Sequence, residues 1–367
     1  MKKLDKIYTL TFHGVVNHGA ILQAFSLQKF ISKSGFETEI IDYLPPYFIW
    51  QIYRPAKGLK SSWLKYSRLI KFREFANKYM HTTGEKIFTA SQFLKLDVDR
   101  NIGFVVGSDQ VWNKDITKGS LDSAFFFQSI IKGRKISYAA SAGSNSLKGE
   151  IQIEKELLKF KALGVREESL VEDVFHLTQG RRSASMVLDP TFLLEQEDYG
   201  AIAETKINIV GDYIVSYEVS TDETREHYEN RVRELKNKLK LKVLHLGDKK
   251  IAAADINLIN ISPSDWLYFM KNSNFIITNS FHGTAFSIIF RKPFFMVSHL
   301  DNGRNHRPQN LLRAIDFQSS LLKPETLLTK DILIAAKKKK SYKKLEELKL
   351  HSKNFLLNSL KADCDFK

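Results

Sequence analysis

The chain has 367 residues, a length that predicts two domains, and its 43% hydrophobic and 26% charged residues exclude wholesale disorder. Its single cysteine, Cys364, excludes a disulfide framework and a cysteine-based zinc site, and it favours a reducing compartment. No apolar run approaches the roughly 18 residues needed to span a bilayer, and charged residues interrupt the first apolar stretch, so we expect a cytoplasmic protein.

The first half of the chain alternates β-rich runs with helical patterns, which is typical of a parallel α/β domain. Gly35 marks the end of the first helix, because glycine readily adopts the left-handed conformation found just past helix ends. Strands are predicted at 6–13, 37–44, 102–107, 134–141 and 163–166, and helices at 19–34, about 150–160 and 167–175.

An unusual segment runs from Pro45 to Met80. It holds eight basic residues and one acid, a balance of +7 out of a total of +15, interleaved with aromatic residues. Such a pattern is found on surfaces that bind anionic membranes and on surfaces that stack single-stranded nucleic acid. The alternative is a helical insertion whose rings belong to the core.

The pattern restarts in the second half, with strands predicted at 212–219, 242–247, 274–280 and 292–298 and helices at 222–240, 264–272 and 283–290. We therefore predict two Rossmann-like doubly wound α/β domains that face each other across a cleft, with ligands at the carboxyl ends of the strands. The predicted boundaries are residues 1–190 and 191–330, followed by a basic C-terminal helix over 331–367.

The strongest chemical signal is the sequence TNSFHGTAFSIIFRKPFF at 278–295, where an apolar strand turns directly into a helix. The backbone N–H groups and the dipole at such a helix start attract anions. His282 stands there, where a general acid or base would be needed. The alternative is that Ser280 only caps the helix and His282 only packs in the turn.

Three further segments place polar residues just after predicted strands. Asn17 and His18 precede the first helix, where they can bind a hydroxyl or a phosphate, or simply cap the helix. Asp109 follows the strand at 102–107, where it can face the cleft or cap the next element. Arg166 is the last residue of the strand predicted at 163–166, where it can clamp an anion or pair with Glu167 or Glu168.

Taken in order, the sequences NHGAILQAF, VVGSDQVWN, SYAASAGS, VREES, LDPTFLL and SFHGTAFSIIFRKPFF resemble the polysaccharide pyruvyl transferase family from Lys6 to about Leu322. The resemblance implies a two-domain fold like that of GT-B glycosyltransferases. It also implies transfer of the enolpyruvyl unit of phosphoenolpyruvate onto a sugar, ending as a cyclic pyruvate ketal, in capsule, exopolysaccharide or cell-wall synthesis.

One departure affects the expected donor site. Many family members carry Arg-Leu-His-Gly where this chain has Ser280-Phe281-His282-Gly283, so Arg304 and Arg307 are candidates to replace the missing cation. We expect His282 and Asp109 as catalytic residues: His282 as the acid or proton shuttle, and Asp109 or His18 to orient or deprotonate the acceptor hydroxyl. The expected donor-binding residues are Arg166, Ser280, Gly283, Thr284, Arg304 and Arg307, and the expected acceptor-binding residues are Asn17, His18 and Gln110.

We expect phosphoenolpyruvate, a lipid-linked glycan and the anionic inner face of the cytoplasmic membrane as partners, and neither a metal ion nor an organic cofactor. The sequence has no HExxH motif and no EF-hand loop. The first alternative is a GT-B glycosyltransferase or nucleotide-sugar epimerase. A nucleic-acid-binding module ranks last, because no recognition motif accompanies the positive charge.

Overall fold

A computed structural model describes residues 4–96, 101–219, 222–299, 306–338 and 340–361. The chain divides into two compact units. Unit 1 comprises Met1–Lys65, Arg73–Leu194 and Glu347–Lys367, and unit 2 comprises Tyr66–Phe72 and Glu195–Glu346.

The sheet of unit 1 is parallel throughout its described part, in the order β2-β1-β3-β4-β5-β6. The first, third and fourth strands in chain order are buried on both faces, as is typical of strands inside a parallel sheet. The strands are β1 (Lys6–Leu10), β2 (Glu37–Ile40), β3 (Ile102–Val106), β4 (Arg134–Ala140), β5 (Phe160–Val165) and β6 (Ser185–Met186).

The helices of unit 1 follow the strands as crossovers, apart from α2 and α3, which form the basic aromatic segment. The bounds are α1 (His18–Lys33), α2 (Pro46–Tyr53), α3 (Leu59–Tyr79), α4 (Glu154–Leu157) and α5 (Glu168–Leu177).

The sheet of unit 2 is also parallel in its described part, in the order β12-β11-β10-β7-β8-β9. Its strands are β7 (Tyr213–Tyr217), β8 (Lys242–His245), β9 (Ile256–Asn257), β10 (Phe275–Thr278), β11 (Phe294–Val297) and β12 (Leu321–Leu322). Its helices are α6 (Gln196–Gly200), α7 (Asp222–Leu239), α8 (Pro263–Asn272), α9 (Phe281–Ile289), α10 (His306–Ala314) and α11 (Lys330–Lys337).

The C-terminal helix, α12 (Lys343–Lys361), packs against the sheet of unit 1. Leu356 and Leu360 are fully buried in the apolar core that also holds β-strand residues of that unit. Gly164 in β5 permits the close approach, because a Cβ atom there would lie 2.6 Å from a ring carbon of Phe355. Burying these side chains removes apolar surface from water and fixes the helix to unit 1.

Most predicted elements are confirmed, with ends shifted by a few residues. The helix predicted at about 150–160 is wrong in length, because β5 already begins at Phe160, and only a 3-10 turn (Ile151–Ile153) and the single turn of α4 precede it. Among the described residues, no helix combines the length and the apolar character needed to cross a membrane.

Candidate functional site

The SFHG segment lies at the topological switch point of unit 2. The strand order reverses between β10 and β7, and the last residues of these strands, Thr278 and Tyr217, are direct neighbours in the parallel register. In open α/β sheets the crevice outside such a reversal is where ligands bind. The strand-to-helix turn at Ser280 therefore stands at the expected binding position of this unit.

Ser280 is the N-cap of α9. Its backbone is extended (φ −92°, ψ 141°), and its hydroxyl accepts a hydrogen bond from the N–H of Gly283 at 3.4 Å. Thr284 donates its hydroxyl back to the Ser280 carbonyl at 3.0 Å. The capping alternative for Ser280 is thus realised, and both hydroxyls are used to hold the helix start.

Gly283 is required by the close packing beneath this turn. A Cβ atom at Gly283 would lie 2.2 Å from Oγ1 of Thr278 and 3.0 Å from Cδ1 of Tyr217. The helix therefore begins in contact with the ends of both switch-point strands. His282, the residue before Gly283, is 7% exposed, and its ring packs edge to face against the ring of Phe281.

Arg68 is a cation at this switch point that the sequence analysis did not single out. It lies in the part of α3 that belongs to unit 2, is 12% exposed, and forms an ion pair with Asp248. Burial and the Asp248 carboxylate raise the pKa of Tyr217, while Arg68 and a hydrogen bond with Ser280 act in the opposite direction. Arg68, Tyr217 and Ser280 therefore form one electrostatic group.

The middle of α3 is held to unit 2 by two further polar contacts. Lys71 donates to the carbonyl of Asn260 at 2.6 Å, and the Asn260 amide donates to the hydroxyl of Ser67 at 2.9 Å. These bonds fix the helix on both sides of Arg68, so the guanidinium is positioned by the fold.

Neighbouring strand ends add polar groups to the same edge of the sheet. His299, just after β11, is buried, and its Nε2 lies 3.1 Å from the Asn279 carbonyl. The Asn279 amide oxygen accepts from the N–H of Val219 at 2.7 Å, which ties the ends of β10 and β7 together. Of the two arginines expected to replace the family's cation, Arg304 lies outside the described residues, and Arg307 is a half-buried residue of α10.

The switch point of unit 1 lies between β1 and β3, where Leu10 is the register neighbour of Val106. Asn17 caps α1 there by accepting from the N–H of Ala20 at 3.0 Å, and His18, the first residue of the helix, is 4% exposed. The capping alternative for Asn17 is realised as well.

Asp109 has a strained backbone, with φ of +67°. Left-handed conformations are uncommon outside glycine, and aspartate and asparagine tolerate them best. The adjacent Gln110 is fixed by the side-chain amide of Asn113, which donates to its oxygen at 2.6 Å. Both residues are half-buried at the carboxyl edge of β3, as predicted.

Arg166 is buried in a group of carboxylates. Its side chain is 5% exposed and pairs with Asp189 at 2.9 Å and Glu167 at 3.3 Å. Burial acts to lower its pKa, but Glu167, Asp189 and Asp109 together raise the pKa above the ordinary arginine value. The guanidinium thus pairs with two carboxylates, and the predicted alternative of a pair with Glu167 is realised. A donor anion would have to displace these partners.

Two carboxylates of unit 1 were missed in the sequence. Asp189 is fully buried and accepts from Ser108 at 2.9 Å as well as from Arg166; the available signal was a single acid inside an apolar run. Asp42 contacts His13 at 3.3 Å and Lys86 at 3.0 Å. Burial acts to raise the pKa of Asp42, but its contacts with His13 and Lys86 lower it to about 2. Among the described residues, no group of acidic, histidine or cysteine side chains is arranged to hold a metal ion.

Comparison with known families decides what the chain is. The sequence model for the family described as polysaccharide pyruvyl transferase matches residues 17–302, which is most of the chain. The chain belongs to this family. The match includes the Asn17 cap, the Asp109 turn, Arg166 and the SFHG segment, so both switch-point sites of this pyruvyl transferase family member lie inside it.

Solved structures show the fold of this family member. It is similar to a UDP-GlcNAc 2-epimerase from Methanocaldococcus jannaschii, with 12% identity, a TM-score of 0.52 and coverage of 92% of this chain and 93% of the epimerase. A protein described as OtsA is similar at 7% identity and a TM-score of 0.52, with coverage of 98% and 100%. At such low identity these likenesses concern the fold, which is the predicted GT-B type with two Rossmann-like sheets. A comparison with curated protein sequences found no match to the chain.

Proposed function

We propose that this protein transfers the enolpyruvyl unit of phosphoenolpyruvate onto a sugar hydroxyl of a lipid-linked polysaccharide precursor, and that a second hydroxyl closes a cyclic pyruvate ketal. The observation that carries the proposal is the family match over residues 17–302. It is supported by the histidine and the helix start at the switch point of unit 2. We place the reaction in the cytoplasm, at the membrane face where such a precursor would be presented.

In this proposal the donor binds at unit 2. Phosphoenolpyruvate carries a carboxylate and a phosphate, so it needs cationic or dipolar partners. The first turn of α9 presents the positive end of a helix dipole. Arg68 supplies a guanidinium whose charge acts on Tyr217, the residue hydrogen-bonded to Ser280, and Ser280 stands where many family members carry arginine. Gly283 lets the helix start pack directly on the strand ends, and Arg307 remains a further candidate.

Arg68 is a better donor ligand than Arg166 because its partner can be displaced. The Asp248 side chain is 74% exposed, and exposed ion pairs contribute only about 0–1 kcal/mol. Arg166 instead pairs with Asp189 and Glu167, whose side chains are 0% and 9% exposed. Separating a buried pair costs about 3–5 kcal/mol, so we propose Arg166 as a positioning residue for the carboxylates of unit 1.

The acceptor binds at unit 1. The Glu167 and Asp189 carboxylates already pair with Arg166, which disfavours a donor anion there but not neutral hydroxyls. Asp109 and Gln110 offer oxygen and amide groups to a sugar, and Asn17 and His18 lie at the start of α1 on the same switch point.

The proposed reaction balances as follows. A sugar hydroxyl adds to C2 of the enol and gives its proton to Asp109, while His282 donates a proton to C3. Phosphate then leaves C2, the second hydroxyl attacks the resulting oxocarbenium carbon, and its proton returns to the site or to phosphate. The products are the ketal and inorganic phosphate.

The test of the function is to incubate the protein with a lipid-linked oligosaccharide and phosphoenolpyruvate. We expect a product heavier than the acceptor by one pyruvate less water, and one phosphate released per product, measured by mass spectrometry and a phosphate assay. Turnover of UDP-N-acetylglucosamine with no consumption of phosphoenolpyruvate would contradict the proposal in favour of a nucleotide-sugar enzyme.

The assignment of the donor to unit 2 is tested with Arg68→Ala. Since charge-assisted hydrogen bonds contribute about 1.5–3 kcal/mol, we expect the dissociation constant for phosphoenolpyruvate to rise about 10–150-fold in calorimetric titration. The matched control is Arg73→Ala, because Arg73 lies on the same helix but is exposed and stacks on Tyr53. Wild-type affinity in Arg68→Ala together with lost affinity in a stably folded Arg166→Ala variant would return the donor to Arg166.

A further inference from the structure

The loop between α2 and α3 and the helix ends beside it expose large apolar side chains within unit 1. Trp50 is 61% exposed, Leu59 is 92% exposed and Trp63 is 66% exposed. Leu59 and Trp63 are four residues apart on α3 and therefore share one face of the helix. Isolated apolar residues are common on protein surfaces, but several large ones close together indicate a binding surface.

This exposed group stands on an ordered base. On the other side of α2, Phe48 and Ile52 are buried, and Phe48 packs edge to face on Phe12 at 5.2 Å. Tyr47 donates to Asp122 at 2.8 Å, which anchors the same helix through a polar contact. Other side chains of α2 therefore anchor the helix to unit 1, and Trp50 is not needed for that packing.

The loop itself is held in one conformation by hydrogen bonds. Ser62 donates to the carbonyl of Ala56 at 2.9 Å, and Lys65 donates to the carbonyl of Arg54 at 2.6 Å. Gly58 has φ of +89°, which permits the sharp turn into α3. The exposed rings and cations are therefore displayed by a fixed loop.

The charged residues of the stretch that carries the exposed rings are all basic. Arg54 stacks on Trp50 with its guanidinium carbon 4.4 Å from the ring centroid, and Lys57 and Lys60 are exposed nearby in the sequence. The sequence holds no acidic residue between Asp42 and Glu74. We define the basic aromatic surface as the exposed residues Trp50, Tyr53, Arg54, Lys57, Leu59, Lys60 and Trp63.

We propose that the basic aromatic surface docks this protein onto anionic lipid bilayers. Tryptophan and tyrosine rings favour the depth of lipid headgroups, and lysine and arginine favour anionic phosphates. Each basic residue near such a surface increases partitioning by about fivefold, so Arg54, Lys57 and Lys60 together supply roughly 100-fold. Lys71 and Arg68 are not part of this surface, because they bond to Asn260 and Asp248 within unit 2.

The test uses the full chain with vesicles of phosphatidylcholine, with and without phosphatidylglycerol, in the absence of donor and acceptor. We expect co-sedimentation with the anionic vesicles only, weakened by salt, and a blue shift of tryptophan fluorescence. Because no substrate is present, failure of this test leaves pyruvyl transfer unaffected.

Matched variants distinguish the effect of the basic aromatic surface on vesicle binding from the effects of net charge and of exposed apolar residues in general. Lys57→Gln/Lys60→Gln should bind about 25-fold more weakly, whereas Lys29→Gln/Lys148→Gln, which removes the same charge from exposed positions elsewhere in unit 1, should bind like wild type apart from a small change. Trp63→Ser should weaken binding and reduce the blue shift, and Ile131→Ser, at a position 82% exposed, should do neither.

Three outcomes would overturn the proposal. The first is the absence of wild-type binding to anionic vesicles. The second is equal weakening in both pairs of lysine variants, which would mean that only net charge matters. The third is a change of oligomeric state in Trp63→Ser with unchanged vesicle binding, which would identify the surface as a contact between copies of this chain.

Discussion

Replacing Gly283 by alanine tests the geometry of the SFHG turn directly. The new Cβ atom would lie 2.2 Å from Thr278 Oγ1, 2.9 Å from Thr278 Cβ and 3.0 Å from Tyr217 Cδ1, so neighbouring atoms must move. Thr278 cannot simply rotate away, because its Oγ1 accepts the N–H of Ser280 at 3.0 Å. Overpacking costs about 1–3 kcal/mol and the lost hydrogen bond about 1 kcal/mol.

The better helix propensity of alanine offsets about 1 kcal/mol of that cost, so we expect Gly283→Ala to lower the free energy of unfolding by about 1–3 kcal/mol. Denaturant titration measures this change, with Gly14→Ala as the control, because a Cβ atom at Gly14 meets nothing within 4 Å. Turnover should also fall, by up to about 100-fold if His282 moves by about 1 Å. Wild-type stability and turnover in Gly283→Ala would refute the close contact between the helix start and the strand ends.

Two further predictions concern the histidines of unit 2. His282→Ala should lower turnover about 100-fold or more, the usual effect of losing an acid–base group, with an unchanged melting temperature; wild-type turnover would remove His282 from the mechanism. Burial lowers the pKa of His245 to about 4, whereas the unfolded chain binds the proton below about 6.5, so folding stability should fall between pH 6.5 and pH 4. That loss is about 3 kcal/mol, and NMR titration showing protonation of His245 near pH 6.5 in the folded protein would contradict it.

The order of helices and strands along the chain could be predicted from the sequence, because each has its own spacing of apolar residues. The turn from β10 into α9 and the turn from β1 toward α1 were both placed correctly, since apolar runs end there at small and polar residues. The failure at residues 150–160 has a physical reason: Ile153, Leu157 and Phe160 have the four- and three-residue spacing of a helix, but the chain makes only a 3-10 turn and α4 before β5. Short elements carry too few residues for a period to be distinguished.

Contacts between distant residues could not be predicted in this way. Arg68 and Asp248 are 180 positions apart, and no pattern in either segment indicates that they pair. The composition of the segment from 45 to 80 does not distinguish an exposed basic residue from one that is bonded to another part of the chain. The structure divides them between exposed positions such as Lys57 and partnered ones such as Lys71. The same ambiguity affected Arg166, whose position after a strand fits an anion ligand and a buried ion pair equally well.

The charges at the two switch points argue for a division of substrates between the units. In unit 1 the guanidinium of Arg166 pairs with two carboxylates whose side chains are 9% and 0% exposed, so a bound anion cannot easily replace them. In unit 2 the carboxylate that pairs with Arg68 is largely in water, where screening weakens it and a bound phosphate can replace it. An anionic donor gains more from a cation whose partner is exposed, while uncharged sugar hydroxyls bind well to fixed acceptor oxygens. This asymmetry, rather than the number of arginines at either edge, is the reason to assign the donor to unit 2 and the acceptor to unit 1.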